Sequence, residues 1–519
     1  MDQRALVGRL LDPRCYPHPV EKVDLLETHI SYVLLAGEFA YKIKKALALP
    51  FLDYSTLELR RRYCEEELRI NRRTAPALYL EVVPIRDCAS GPCVGTAGDP
   101  AEYAVRMRRF RQTDLFDAMA RRNELGPVHV VELARHVARF HADADAAPAG
   151  SLWGASATVF DQALDNVSSL RERCADVHES NDLGELEAWT RAEFGRISPM
   201  LERRRAAGLV RECHGDLHLG NIAWIDGAPV AFDAIEFEPA LRWIDVASEI
   251  AFVVMDLLDH GLPALAWRFL DEYLAVTGDY EAVVPLRFFL VYRALVRAKV
   301  AAIRSGQQEA GGAMPREVRG HLDLARDLAR SAGTGVVAMH GLSGSGKSTF
   351  ALRLAESLGA VRVRSDVERK RLAGVPPDAS TQGVPGVYSA DFTGRVYDRL
   401  EALARLVAGE GRWPVVVDAA SLLRAERDRF RMLAGALALP FCVVSCEAGE
   451  EELRRRIEAR RQDAGNVSEA TTSVLADQMR WQEPLLEGEQ DVIRVGPDDG
   501  LDACIAKVAT RMEGRSARP

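Results

Sequence analysis

The run Gly341-Leu-Ser-Gly-Ser-Gly346-Lys347-Ser348 constrains this chain more than any other part of it. It satisfies G-x-x-x-x-G-K-[ST], and it stands directly after an apolar, strand-like segment at 335–340 and directly before a helix-forming one. Glycines there let consecutive backbone N–H groups turn inward around a polyphosphate, at a helix N-terminus that already favours anions. Gly341, Ser343, Gly344, Ser345, Gly346 and Thr349 would form the cradle, Lys347 would reach the β- and γ-phosphates as the transferring group's cation, and Ser348 would ligate Mg2+. ATP or GTP is the implied cofactor.

Around the loop, strand-like runs at 335–340, 360–364, 414–418, 441–446 and 491–495 alternate with helical segments. That alternation predicts an α/β domain with a mostly parallel sheet covered by helices on both faces. The strand Val415-Val-Val-Asp418 ends in an acid suited to holding the metal or its water, or equally to capping the next helix. At the end of the second strand, Arg364-Ser365-Asp366-Val-Glu-Arg369 offers a base in Asp366 for an acceptor hydroxyl and a grip for substrate in Arg369. Helix capping by Asp366 and a solvated face at 369–371 are the competing readings. Arg460 or Arg461, on a charged helix ahead of the polar stretch at 463–468, is the expected lid arginine for the transferring phosphoryl group.

The first two-thirds read differently. A hairpin is expected from the strand-like 30–35 and 39–44 around the turn at 36–38, followed by a Leu/Glu/Arg-rich helix over 56–73 that stops before Pro76. Strands at 79–85 and 102–109 complete a small β-rich lobe, and the pattern then turns mainly helical to about residue 330. In this helical part, His214-Gly-Asp216-Leu-His-Leu-Gly-Asn221 is followed by a strand ending in Phe232-Asp233. Phosphoryl transfer needs a carboxylate to orient and deprotonate a hydroxyl, and metal ligands to neutralise the β- and γ-oxygens. Asp216 fits the first role, and Asn221 with Asp233 the second. Two histidines and an acid so close together could instead hold zinc, but the strand and its terminal Asp favour the phosphoryl-transfer reading, which makes His218 structural. On the hairpin, Phe39-Ala-Tyr-Lys42 offers a strand lysine and the next helix offers Glu67 as its clamp; Lys44 shares that strand face, and Glu65 or Glu66 could replace Glu67.

These motifs carry two resemblances. Residues from about 20 to 300, with H-G-D-x-x-x-x-N at 214–221, resemble the aminoglycoside-phosphotransferase and choline-kinase-like superfamily. Residues from 335 onward resemble the small-molecule P-loop kinases of the gluconate-kinase and zeta-toxin-like group, and the whole chain resembles bacterial fusions of the two. The resemblance implies an α+β bilobal protein-kinase-like domain, with a β-rich lobe at 1–112 and a helical lobe at 113–330, followed by a P-loop kinase domain at 331–519. It also implies that Asp245 braces the catalytic loop. One departure is that no G-x-G-x-x-G precedes the hairpin, where Glu27-Thr-His-Ile-Ser31 stands instead.

The expected activity is phosphoryl transfer from ATP, with Mg2+, to a hydroxyl of a sugar, polyol or aminoglycoside-like small molecule, at two nucleotide sites. A P-loop kinase regulated by a catalytically weak first domain is the alternative. A nucleic-acid end kinase is a third, which the net charge of −9 argues against. The residues from Met1 to Leu11 lack the apolar stretch of a signal peptide and no run of 18 apolar residues occurs, so the expectation is cytoplasmic, without a membrane partner. The nine cysteines, odd in number and scattered, read as reduced thiols, and a linker is expected at 305–315.

Overall fold

The computed structural model describes residues 2–49, 52–88, 91–95, 98–173, 177–306, 315–330, 333–377, 379–381, 384–460, 471–486 and 488–513. Most of the expected linker, together with Arg461 and the polar stretch at 463–468, lies outside these residues, as does the side chain of Arg460. The chain divides into two compact units, the first comprising Met1–Phe160 with Leu201–Asp256 and the second Asp161–Met200 with Leu257–Pro519. These units cut across linear boundaries at 112 and 330.

In the first unit, β1 (Val23–Glu27), β2 (Ser31–Ala36), β3 (Phe39–Lys44), β4 (Tyr79–Cys88), β5 (Gly91–Val94) and β6 (Glu102–Arg108) form one sheet in the order β1-β2-β3-β6-β4-β5, antiparallel throughout. The β2–β3 turn needs Gly37, whose φ is 58° and whose missing Cβ would stand 2.8 Å from the Pro19 carbonyl oxygen. Alternation along β3 buries Ala40, Lys42 and Lys44 on one face, and the helix Leu57–Asn71 covers that face. Thr56 caps this helix by accepting the Leu59 N–H. Further on, β7 (Val210–Glu212) pairs with β10 (Trp243–Asp245), and β8 (Ile222–Ile225) with β9 (Ala228–Ala231). These two short ribbons hold residues 213–221 between their strands.

In the second unit, β11 (Val336–His340), β12 (Val361–Arg364), β13 (Val415–Asp418), β14 (Phe441–Cys446) and β15 (Val492–Val495) form an all-parallel sheet in the order β12-β13-β11-β14-β15. The strands lie where the alternation of the sequence predicts, and both sheet faces are covered, as their Val-rich composition demands. Helices from far upstream join this unit: Trp413 Nε1 donates to the Val283 carbonyl at 2.9 Å, and Trp267 packs over Gly359.

Gly359 ends the helix Lys347–Leu358 in the left-handed region at φ 63°, and a Cβ there would meet the Trp267 ring at 3.1 Å. Gly359→Ala should therefore cost the second unit about 1–2 kcal/mol, read as a lower urea midpoint for that unit, with no change in far-UV circular dichroism before the transition.

Candidate functional site

Two groups of chemically capable side chains stand out, one in each unit. In the first unit, Lys42 and Lys44 project from alternate positions of β3 toward one carboxylate. Lys42 Nζ donates to Glu67 Oε1 at 2.8 Å and Lys44 Nζ to Glu67 Oε2 at 2.7 Å. The structure thus pairs Glu67 with both lysines, while Glu65 and Glu66 pair with arginines. The lysines are told apart by their second partners: Lys42 contacts Asp233, whereas Lys44 contacts Glu236, which also takes the Tyr54 hydroxyl. Lys44 and Glu67 are fully buried, but the Asp233 side chain is 43% exposed. Lys42 therefore faces the open side of the cluster.

Burial alone would weaken these charges, and their mutual attraction overrides it. Burial works to lower the Lys42 pKa, but Asp233 and Glu67 carry it well above the ordinary value; burial works to raise that of Glu67, but Lys42 and Lys44 bring it to about 2. Lys42 and Glu67 are thus both ionised at neutral pH.

The loop between β7 and β8 is held from beneath. The Glu249 carboxylate accepts the His214 N–H at 2.5 Å and the Gly215 N–H at 3.0 Å, and Asp256 accepts the Leu219 N–H at 2.8 Å. Asp245, expected to brace this loop, instead forms a two-pronged ion pair with Arg204 at 2.9 Å and caps the following helix at the Ala247 N–H. Glu249, one helical turn further on, has taken the bracing position. Asn221 Nδ2 donates to Asp216 Oδ2 at 3.0 Å, which fixes the carboxylate, and His218 Nε2 lies 3.5 Å from the same oxygen. Nδ1 of His218 accepts the Gly220 N–H, so this ring is tied into its own loop. Asp233 is a non-glycine residue at φ 64°, held by the Tyr79 hydroxyl on its N–H. Such a conformation is uncommon outside sites where the surroundings enforce it. The structure brings Lys42, Glu67 and Asp233 together, and separately Asp216 and Asn221.

In the second unit, β11 runs into the loop at 341–346 and the helix Lys347–Leu358 begins at Lys347. Gly341, Gly344 and Gly346 have φ of 145°, 86° and 89°. A Cβ on Gly341 would stand 2.6 Å from the Cys446 carbonyl oxygen, and one on Gly344 2.7 Å from that of Leu453. No other residue type fits at either position. Ser345 Oγ is buried without a hydrogen-bond partner among the described residues, and Lys347 Nζ makes no hydrogen bond or ion pair among them. Thr349 is exposed on the first turn. On the neighbouring strand, Asp418 ends β13 and its Oδ1 accepts the Ser348 hydroxyl at 3.0 Å. Hard oxygen donors so arranged suit Mg2+.

Asp366 is exposed in the first turn of the helix Ser365–Leu372, and the cap of that helix makes no side-chain bond, so Asp366 does not serve as one. It follows β12, whose last residue Arg364 lies in register with Asp418. Arg369 spends Nη1 on the Val387 carbonyl at 2.6 Å and on Thr393 Oγ1 at 3.2 Å, and lies over the Tyr388 ring. Three side chains not foreseen from the sequence touch the loop. Arg456 donates to the Ser345 carbonyl at 3.4 Å, Gln478 Oε1 accepts the Ser343 N–H at 2.9 Å, and Arg362 donates to the Ser348 carbonyl at 3.2 Å. Only Arg362 gave a signal, as a charge set between the two valines of the strand Val361–Arg364.

Glu67→Gln should leave two buried ammonium groups short of counter-charge and destabilise the first unit by about 3 kcal/mol or more, measured by thermal denaturation at neutral pH. A second expectation concerns pH. Burial lowers His214 from 6.5 to about 4, against the pull of Asp216, and lowers His141 from 6.5 to about 3. The fold keeps both rings neutral where the unfolded chain protonates them. Their contribution is complete above pH 6.5 and is lost as pH falls from 6.5 toward 4 and below. At pH 5 His214 alone should cost about 2 kcal/mol. Urea unfolding at pH 7 and pH 5 should show that loss in the parent and a smaller one in His214→Gln.

Residues 336–485 match the AAA domain family AAA_33. Among solved structures, a gluconokinase from Sinorhizobium meliloti is 24% identical with a TM-score of 0.26, covering 35% of this chain and 97% of its own. A choline/ethanolamine kinase family protein from Mesorhizobium loti is 13% identical with a TM-score of 0.39, covering 63% of this chain and 94% of its own. An uncharacterized protein of Mycobacterium tuberculosis is 30% identical over 472 residues, which are 90% of this chain and 92% of that one. The chain therefore belongs to the same family as that mycobacterial protein and carries an AAA-type P-loop domain in its C-terminal part.

Proposed function

We propose that this protein is an ATP-dependent phosphotransferase with a nucleotide site in each unit, each transferring the γ-phosphoryl group to a hydroxyl of a small molecule. One observation carries the reading: the Ser348 hydroxyl lies on the Asp418 carboxylate beside a glycine-shaped loop, while the Lys347 ammonium is not spent on any described side chain. An ammonium left unpaired at a helix N-terminus lined with N–H groups calls for an anion, and a polyphosphate supplies it. The loop keeps this path because a Cβ at Gly341 or Gly344 would strike the Cys446 or Leu453 carbonyl behind it.

In the second unit, Ser348 and Asp418 would hold Mg2+, Lys347 would orient the β- and γ-phosphates, and Asp366 would take the acceptor proton, with Arg369 on the acceptor side. In the first unit, Lys42, oriented by Glu67, would hold the α- and β-phosphates, Asn221 and Asp233 would hold Mg2+, and Asp216 would orient and deprotonate the acceptor hydroxyl. Magnesium bound in either place would offset negative charge on the β- and γ-oxygens. Charge in both pockets is fixed before substrate arrives, so little reorganisation is needed during transfer. A cytoplasmic sugar, polyol or aminoglycoside-like compound is the proposed acceptor class, and among the described residues no helix is long and apolar enough to cross a membrane.

A second reading, with the first unit as a regulatory binding domain, is favoured by the β1–β2 connection. Thr28 and Ser31 close it with hydrogen bonds between them, and it contains no glycine to fold over phosphates. ATP turnover by the full chain separates the readings. With two active sites, Asp216→Ala and Lys347→Ala should each remove part of the ADP release, and the double variant should fall to background. With a regulatory first unit, Lys347→Ala alone should abolish turnover. Unchanged turnover in the double variant would refute both.

A further inference from the structure

Arg362 is 5% exposed, in a strand whose flanking residues are valines. A buried guanidinium needs partners for its N–H groups, and it has them on two sides. Nε and Nη2 form a fork on Asp271, at 3.0 Å to Oδ1 and 2.7 Å to Oδ2. Nη1 faces the other way, 3.2 Å from the Ser348 carbonyl and 3.4 Å from Asp418 Oδ2. Asp271 is 9% exposed and comes from the helix Pro263–Thr277, 91 residues upstream. Burial opposes the charge on Arg362, but Asp271 and Asp418 raise its pKa above the ordinary value, so it is a permanent cation.

We propose that Asp271 and Arg362 are positioning residues for the magnesium site of the P-loop, and that the helix Pro263–Thr277 is therefore an integral part of that site. The inference rests on reading Ser348 and Asp418 as metal ligands. Its physical content is a division of charge. With Asp271 present, the fork is satisfied and Arg362 reaches Asp418 only through one long contact on Oδ2. Asp418 keeps its negative charge available, its Oδ1 meeting the Ser348 hydroxyl. Without the Asp271 carboxylate, the buried cation has Asp418 as its remaining carboxylate, and a tight Arg362–Asp418 pair would compete with a divalent cation. The same helix is anchored nearby, with Arg268 paired to Glu356 and the Ala275 carbonyl accepting from Arg371 at 2.6 Å. The fork is thus held at a fixed distance from the loop.

The test uses the full chain and two probes, Mn2+ with ADP and ADP in EDTA, each followed by calorimetry, with circular dichroism as the check on folding. At the site that Lys347→Ala removes, Asp271→Asn should weaken Mn2+ binding in the presence of ADP by about 10-fold or more, as loss of a partner behind a metal ligand does. ADP affinity in EDTA should stay within about twofold of the parent, since the phosphate cradle is untouched. Arg362→Lys keeps the charge but loses the fork, and should show the same selective loss. If Asp271→Asn fails to fold, Arg362→Lys decides. Parent-like Mn2+ affinity in the folded variants would overturn the proposal while leaving the P-loop reading intact. Failure of the parent itself to bind ADP would overturn both.

Discussion

A charge taken out of water must be answered by another, and in both units that requirement decides where the chemically useful side chains stand. Glu67 cannot be buried without the two lysines, and Lys44 cannot be fully buried without Glu236 as well. The surplus partner, Lys42, is thereby held at the open edge against the half-exposed Asp233. In the second unit, Arg362 is held between Asp271 and Asp418, and the Lys347 ammonium, at the head of its helix, has no ion-pair partner among the described residues. Structural pairs absorb the deep charges, and Lys42 and Lys347 are the cations that we propose a polyphosphate meets.

The fold was legible wherever the signal was local. The five strands of the parallel sheet, the hairpin around Gly37 and the helix after it follow from periodicity and turn residues a few positions apart. The glycine-rich loop was legible because its spacing is itself the geometric requirement, as the close approaches to Gly341 and Gly344 show. Lys42 and Glu67 were foreseen as a pair, but the sequence could not choose between Lys42 and Lys44, since both lie on the same strand face. The choice comes from Asp233 and Glu236, nearly two hundred residues away along the chain.

The acid that braces the loop could not be read locally either. Asp245 and Glu249 are both acids at the start of one helix, and nothing local tells which accepts the loop N–H groups; the position of Arg204 captures Asp245 and leaves Glu249 for the loop. The sequence offered no sign that the helix Pro263–Thr277 belongs with the P-loop sheet. Its links are the Arg362–Asp271 and Arg268–Glu356 ion pairs, the Arg371 hydrogen bond to the Ala275 carbonyl and the packing of Trp267 over Gly359. Composition and periodicity report burial, not the partner against which a residue is buried.

We propose that polyphosphate is gripped by the amides and ammonium around Lys347 and, separately, beside Lys42. Calorimetric stoichiometry of a non-hydrolysable ATP analogue with Mg2+ on the full chain addresses it most directly. Two nucleotides per chain, reduced to one by Lys347→Ala, is the predicted result. No bound nucleotide, or binding indifferent to Lys347→Ala, would contradict it.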